Sequence, residues 1–188
     1  MPAQFIKRDA AGHPAASCRQ WIERWRIHRP EEEYPLKSIA DLLPARDIIL
    51  DLEVANKEQL FDAIGRHMEA MHGMPKEWVV LSLSRREQVG STGLGEGVAI
   101  PHARIKDLLC IQLAYVRLQS PIPFGAPDGK PVSDILVLLV PKQATEEHLS
   151  ILAEATRLFS DARFRERLHQ GRESAAVKQL FADWPVPV

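Results

Sequence analysis

Cysteine is scarce in this chain. There are two, Cys18 and Cys110, far apart and at no metal or redox spacing. That excludes a disulfide framework and makes a reducing cytoplasm the expected compartment. Long hydrophobic runs are missing as well. The longest uninterrupted apolar stretch, Ile135 to Val140, has six residues, far short of the ~20 needed to cross a bilayer. The amino terminus, MPAQFIKRDAAGHPAASC, has no apolar h-region, so neither secretion nor direct membrane insertion is expected. Charge of one sign is lacking too. The 24 Lys and Arg are balanced by 25 Asp and Glu, for a net charge of −1. No nucleic-acid backbone would be held by such a surface, and nucleic acid is not an expected partner.

Several familiar sites are also absent. No G-x-x-x-x-G-K-[ST] occurs, so there is no P-loop, and there is no H-E-x-x-H. Ser91 follows Gly90 directly, which is not the spacing of a nucleophile elbow. Gly93, Gly95 and Gly97 alternate ahead of a strand, whereas the dinucleotide fingerprint opens a helix. His67 and His72 are five apart, the wrong interval for a shared metal on one helix face, and read as surface or core histidines. No cofactor and no metal are implied.

What is present is the texture of a globular α/β domain. Residues 1–35 differ from the rest: RQWIERWRIHRPEEEYP lies between prolines, and Trp21 and Trp25 could share one face of a short helix. Residues 1–35 are read as an extension, 36–184 as the domain and 185–188 as a tail. Ile48-Ile49-Leu50, with Leu52 and Val54, reads as a strand. Asn56 is placed to cap a helix from Lys57 to about Met71, with Leu60, Ile64, Met68 and Met71 as its buried stripe and Gly73 at its end. Pro75 suits the first turn of a helix to about Gln88, with Trp78, Val79 and Ser82 on one side. Ile111 to Leu118 reads as a strand, Pro121 to Pro131 as a long hairpin loop, and Asp134 to Val140 as a strand buried on both faces. Thr145 would cap a helix to about Ser160 whose core face is Leu149, Leu152, Ala153, Thr156 and Phe159. Two short helices, 161–169 and 173–182, close the chain.

The stretch from Arg86 to Arg104 carries the chemistry. It combines a charged helix end, a glycine-punctuated turn and a short apolar strand, Val98 to Ile100, that stops at Pro101-His102. Pro101 fixes its own φ and pushes Ile100 towards an extended conformation, so His102 sits at a stiffened strand end. A neutral imidazole is a good nucleophile near pH 7, and His102 is the candidate carrier of a phosphoryl group. His148, third in its helix if Thr145 is the cap, would have its pKa lowered by the helix dipole and could donate to phosphate oxygens. Arg86 offers a planar fork of donors. Ser91 and Thr92 add hydroxyls and amides in a Gly-rich turn able to form an anion nest. Spacing alone leaves open a simple turn at the strand end, or a zinc pair of His102 and His148 with Glu96.

The segments STGLGEGVAIPHAR, FGAPDGKPV, LVLLVP and EEHLSILAEATRLF, in order over roughly Leu36 to Trp184, resemble the type-2 enzyme IIA domain of the bacterial sugar phosphotransferase system. The resemblance implies an α/β fold, a mixed five-stranded sheet flanked by helices, with mannitol IIA-like architecture. It implies that the histidine of A-I-P-H, here His102, is phosphorylated on Nε2 by a histidine phosphocarrier protein. The family's second histidine matches His148, its arginine before the E-x-x-x-S-T turn matches Arg86, and the glutamate of G-E-G matches Glu96. A chain with no attached IIB domain, together with LLPARDIILDLEV and REQVGSTGLGEG, favours the nitrogen-regulatory branch, whose partners would be regulatory targets such as kinases or potassium transporters. FGAPDGKPV would also suit a fructose- or mannitol-type IIA passing phosphate to a sugar-transport IIB domain.

Overall fold

The computed structural model describes residues 38–143 and 146–184. Trp21, Trp25 and Thr145, named above, lie outside the described residues. Ser38 forms a capping box: its hydroxyl accepts from the Asp41 amide, and the Asp41 carboxylate accepts from the Ser38 amide. It starts the short helix α1 (Ile39–Leu42), and a 3₁₀ turn, Ala45–Asp47, follows. Strand β1 (Ile48–Leu52) leads to α2 (Lys57–His72), capped by the Asn56 side chain on the Gln59 amide and ended by Gly73 in the left-handed region at φ 67°. Helix α3 (Lys76–Val89) follows, then β2 (Gly93–Gly95), β3 (Val98–Ala99), β4 (His102–Ile105), β5 (Gln112–Ile122) and β6 (Val132–Pro141). Helices α4 (Glu146–Ser160), α5 (Ala162–Gln170) and α6 (Ser174–Asp183) complete the order.

The sheet is mixed. β1 runs parallel to β5, β5 antiparallel to β6, and β3 and β4 both lie parallel to β6, with β2 antiparallel to β3. It has six strands where five were expected. The extra strand arises because one sheet position is broken at Ile100-Pro101, where proline has no amide to donate. Pairing with β6 resumes at His102, opposite Leu138. His102 therefore opens a strand, where the sequence suggested the end of one. The Pro101 carbonyl bridges the gap by accepting from the Leu138 amide at 3.0 Å.

Side chains of β6 alternate between two cores, as a period of two requires. Ile135, Val137 and Leu139 face α2 and α3, meeting Leu60, Phe61, Ile64, Met68, Val79 and Leu83. Leu136, Leu138 and Val140 face the last three helices, meeting Ile151, Ala155, Leu158, Phe164 and Phe181. Three helix faces differ from expectation. On α2, Phe61 is buried and Met71 is half exposed. On α3, Val79 and Leu83 are buried and Trp78 is exposed. On α4, Ile151, Ala155, Leu158 and Phe159 are buried, while Leu149, Ala153 and Thr156 are exposed. Two overlapping stripes on α4 share the helical period, and only the sheet beneath decides which is covered. His67 and His72 prove to be inward-facing: both Nε2 atoms meet Oδ1 of the buried Asp47, at 2.8 and 3.0 Å.

Candidate functional site

His102 is half-buried at the start of β4. Its Nδ1 lies 2.9 Å from the Ile100 carbonyl oxygen, and Arg86 Nε donates to its Nε2 at 3.1 Å. A carbonyl can only accept and a guanidinium can only donate. One tautomer satisfies both: hydrogen on Nδ1, lone pair on Nε2. Burial holds the imidazole pKa below the ordinary 6.5, and the charges of Arg86 and His148 push the same way. The Ile100 bond and the Glu87 carboxylate oppose them without winning. The ring is neutral at pH 7, and its Nε2 electron pair accepts from the Arg86 guanidinium.

Helix α3 delivers Arg86 in its last turn, where cations suit the dipole. Its Nη1 donates to the Gly90 carbonyl at 2.9 Å. His148, third residue of α4, is near enough to contribute to the electrostatics of the His102 ring. Its buried Nδ1 has no hydrogen-bond partner among the described residues. Arg86 and His102, on different elements, are thus joined by a hydrogen bond.

Ser91 and Thr92 stand in the turn beside Arg86, but their donors are committed. Ser91 Oγ donates to the Phe124 carbonyl at 2.9 Å. The Thr92 amide and Oγ1 donate to Glu87 Oε2, at 3.0 and 2.6 Å. Glu96, at the left-handed φ of 51°, faces elsewhere: Lys130 lies at 2.8 Å and Arg165 at 3.7 Å, and its amide donates to Asp128 at 2.7 Å. That set gives no support to a zinc pair sharing Glu96. Among the described residues no cluster of histidine, cysteine and carboxylate is arranged to hold a metal.

Two residues not singled out from the sequence belong here. Glu87, its side chain 8% exposed, also pairs with Lys57 at 2.9 Å. Lys57 in turn donates to the Phe124 carbonyl at 2.9 Å and lies 4.8 Å from the centre of the Phe124 ring. A signal did exist. A glutamate in the last turn of a helix opposes the dipole and needs a local reason.

The sequence profile described as "Phosphoenolpyruvate-dependent sugar phosphotransferase system, EIIA 2" matches residues 41–184. A nitrogen regulatory protein of Bradyrhizobium diazoefficiens is 33% identical over 144 residues, covering 77% of this chain and 94% of that protein. The crystal structure of nitrogen regulatory protein IIA-Ntr from Neisseria meningitidis matches with a TM-score of 0.73 and 41% identity, over 76% of this chain and 98% of that one. The IIA mannitol structure from Escherichia coli matches at a TM-score of 0.63 and 23% identity, over 73% and 97% of the two chains, a likeness of fold alone. The chain belongs to the EIIA type-2 family of the phosphoenolpyruvate-dependent sugar phosphotransferase system.

Proposed function

We propose that His102 accepts a phosphoryl group on Nε2 from a histidine phosphocarrier protein, and that the phosphorylated chain acts as a regulator in a nitrogen-type branch. The tautomer carries this reading: Nε2 is the ring nitrogen with an in-plane lone pair, and the guanidinium that donates to it already stands beside it. The Nε2 pair attacks phosphorus as the P–N bond to the donor imidazole breaks, and the bond's electrons return to the donor ring. His102 keeps its Nδ1 proton, and the Ile100 carbonyl accepts it more strongly as the ring becomes positive. For this attack Arg86 first releases the Nε2 pair and turns its donors to the incoming phosphoryl oxygens, and His148 supports them from the start of α4.

Likeness to nitrogen regulatory proteins over most of the domain supports the regulatory reading. On this reading, residues 36–184 form the phosphotransfer domain, 1–35 an extension and 185–188 a tail. Its targets would be regulatory proteins such as kinases or potassium transporters, met in the cytoplasm. No helix among the described residues is long and apolar enough to cross a membrane.

Reconstitution with purified phosphocarrier, its activating enzyme and labelled phosphoenolpyruvate tests the assignment. Wild type takes up label, His102→Ala takes up none, and His148→Ala is labelled but exchanges slowly. Equal labelling of wild type and His102→Ala would overturn the assignment. Rapid loss of the label to a fructose-type IIB domain would replace regulation with sugar transport.

A further inference from the structure

The Glu87 side chain is out of place by ordinary rules. It lies in the last turn of α3, where the dipole disfavours a carboxylate, and it is nearly buried, where a charge needs full pairing. Both oxygens are used. Oε1 meets Lys57 Nζ at the first residue of α2, and Oε2 accepts twice from Thr92. Lys57 and Ser91 both donate to the Phe124 carbonyl in the loop between β5 and β6. The turn after α3 is also pressed against that loop: a Cβ on Gly93 would come within 2.9 Å of Ala126. One carboxylate thus ties together a helix start, a helix end, a turn and a loop.

The neighbouring residue makes this arrangement functional. Arg86 reaches Gly90 with Nη1 and His102 with Nε. Successive helical residues project about 100° apart, so fixing Glu87 fixes the rotation at which Arg86 leaves the helix. The turn that receives Nη1 is held at Thr92 by Glu87 itself. We propose that Glu87, neutralised by Lys57, is a positioning residue for phosphoryl transfer: it sets the turn and the Arg86 guanidinium against Nε2 of His102. This rests on His102 being the acceptor.

Four groups act on the His102 ring: Arg86, His148, Glu87 and the Ile100 carbonyl. Glu87 is the negative charge among them, so removing it makes the ring harder to protonate. The test uses the full chain, phosphoramidate as a small N-phosphoryl donor, and an NMR titration of the unphosphorylated His102 ring. Glu87→Gln is expected to slow phosphoryl uptake by about ten- to a hundredfold, the scale of a small misplacement of reacting groups. It should also move the His102 titration midpoint to lower pH. Glu87→Asp keeps the charge but draws it away from Thr92, so uptake should slow with the midpoint moving less. If Glu87→Gln does not fold, Thr92→Val tests the same clamp, with several-fold slower uptake expected. Wild-type uptake in Glu87→Gln, slow uptake with an unmoved midpoint, or wild-type uptake in Thr92→Val would each overturn the proposal. Absence of label on His102 in the wild type would instead overturn the proposed function, while the titration would still report on Glu87.

Discussion

The bond from Arg86 Nε to His102 Nε2 uses a nitrogen that lysine does not have. Arg86→Lys keeps the positive charge but cannot serve the ring and the Gly90 carbonyl at once. Initial rates from the phosphocarrier should fall about a hundredfold, as when one preorganised donor is lost. Burial also lowers the His102 pKa below 6.5, with Arg86 and His148 adding to it. More than half of the rings should therefore be neutral at pH 6.5, and the midpoint of uptake against pH should lie on the acid side of 6.5, a profile readable from initial rates. Asp47 gives a separate prediction, on stability. Its burial raises the carboxyl pKa, but hydrogen bonds from His67 and His72 and their charges outweigh this and lower it from 3.8 to about 2. A depressed carboxyl pKa contributes stability above its unfolded value, and that stability is lost as pH falls through the folded one. Asp47→Asn should cost on the order of 2 kcal/mol at neutral pH. The gap in melting temperature between the two proteins should close between pH 3.8 and about 2. Glu87 carried a signal, a carboxylate in the last turn of a helix, but the partners in the Asp47, Glu87 and Lys57 networks were not legible in the sequence. Each depends on a partner brought close by folding, as Lys57 does on Phe124, 67 residues along the chain.

Elements were easier to read than contacts, because their signals are local. Asn56 and Gly73 bound α2 as their chemistry demands, and the apolar run from Ile135 to Val140 lies inside β6 as a strand covered on both faces. What the local signal could not decide was phase. The α4 stripe needs the sheet beneath it to choose between adjacent faces, and the gap at Pro101 needs β6 alongside to show that pairing resumes at His102. Spacing between helices is equally invisible from sequence. Gly65 on α2 allows α3 to approach closely: a Cβ there would stand 2.9 Å from Val80 Cγ2 and 3.0 Å from the Lys76 carbonyl oxygen. Gly65→Val should push α3 outward and lower stability by about 1–3 kcal/mol, the usual cost of overpacking, measured by denaturant melts. Arg86 and Glu87 ride on α3, so phosphoryl uptake should slow in the same variant. A surface change such as Glu77→Gln on that helix should leave uptake unaltered.

At the scale of the molecule, a net charge of −1 makes any phosphoryl group a large relative change. On the proposed mechanism the phosphoryl group brings about two negative charges, one of them offset by the ring that keeps its Nδ1 proton, and so about one net negative charge appears beside Arg86. The fold order was legible through periodicity, whereas the Pro-His setting singled out His102 but left a simple turn open, and its role is given by resemblance. The chemistry of Arg86 and His148 as donors was readable residue by residue, but the Arg86–His102 hydrogen bond was not, because no spacing rule joins α3 to β4. On the proposed function, charge placed at that site acts as a switch. A partner that covers His102 must pair or desolvate the new charge, so its affinity for the two forms should differ by tenfold or more, about 1.4 kcal/mol. Titrating a candidate regulatory target with phosphorylated and unphosphorylated chain at low and at high salt measures this. Screening acts on exposed charges over roughly 10 Å at 0.1 M salt. A preference arising from the charge alone should therefore shrink as salt is raised. One that survives high salt points to a rearranged contact at the Gly90–Gly93 turn, and it should be lost in Glu87→Gln, where that turn is no longer clamped.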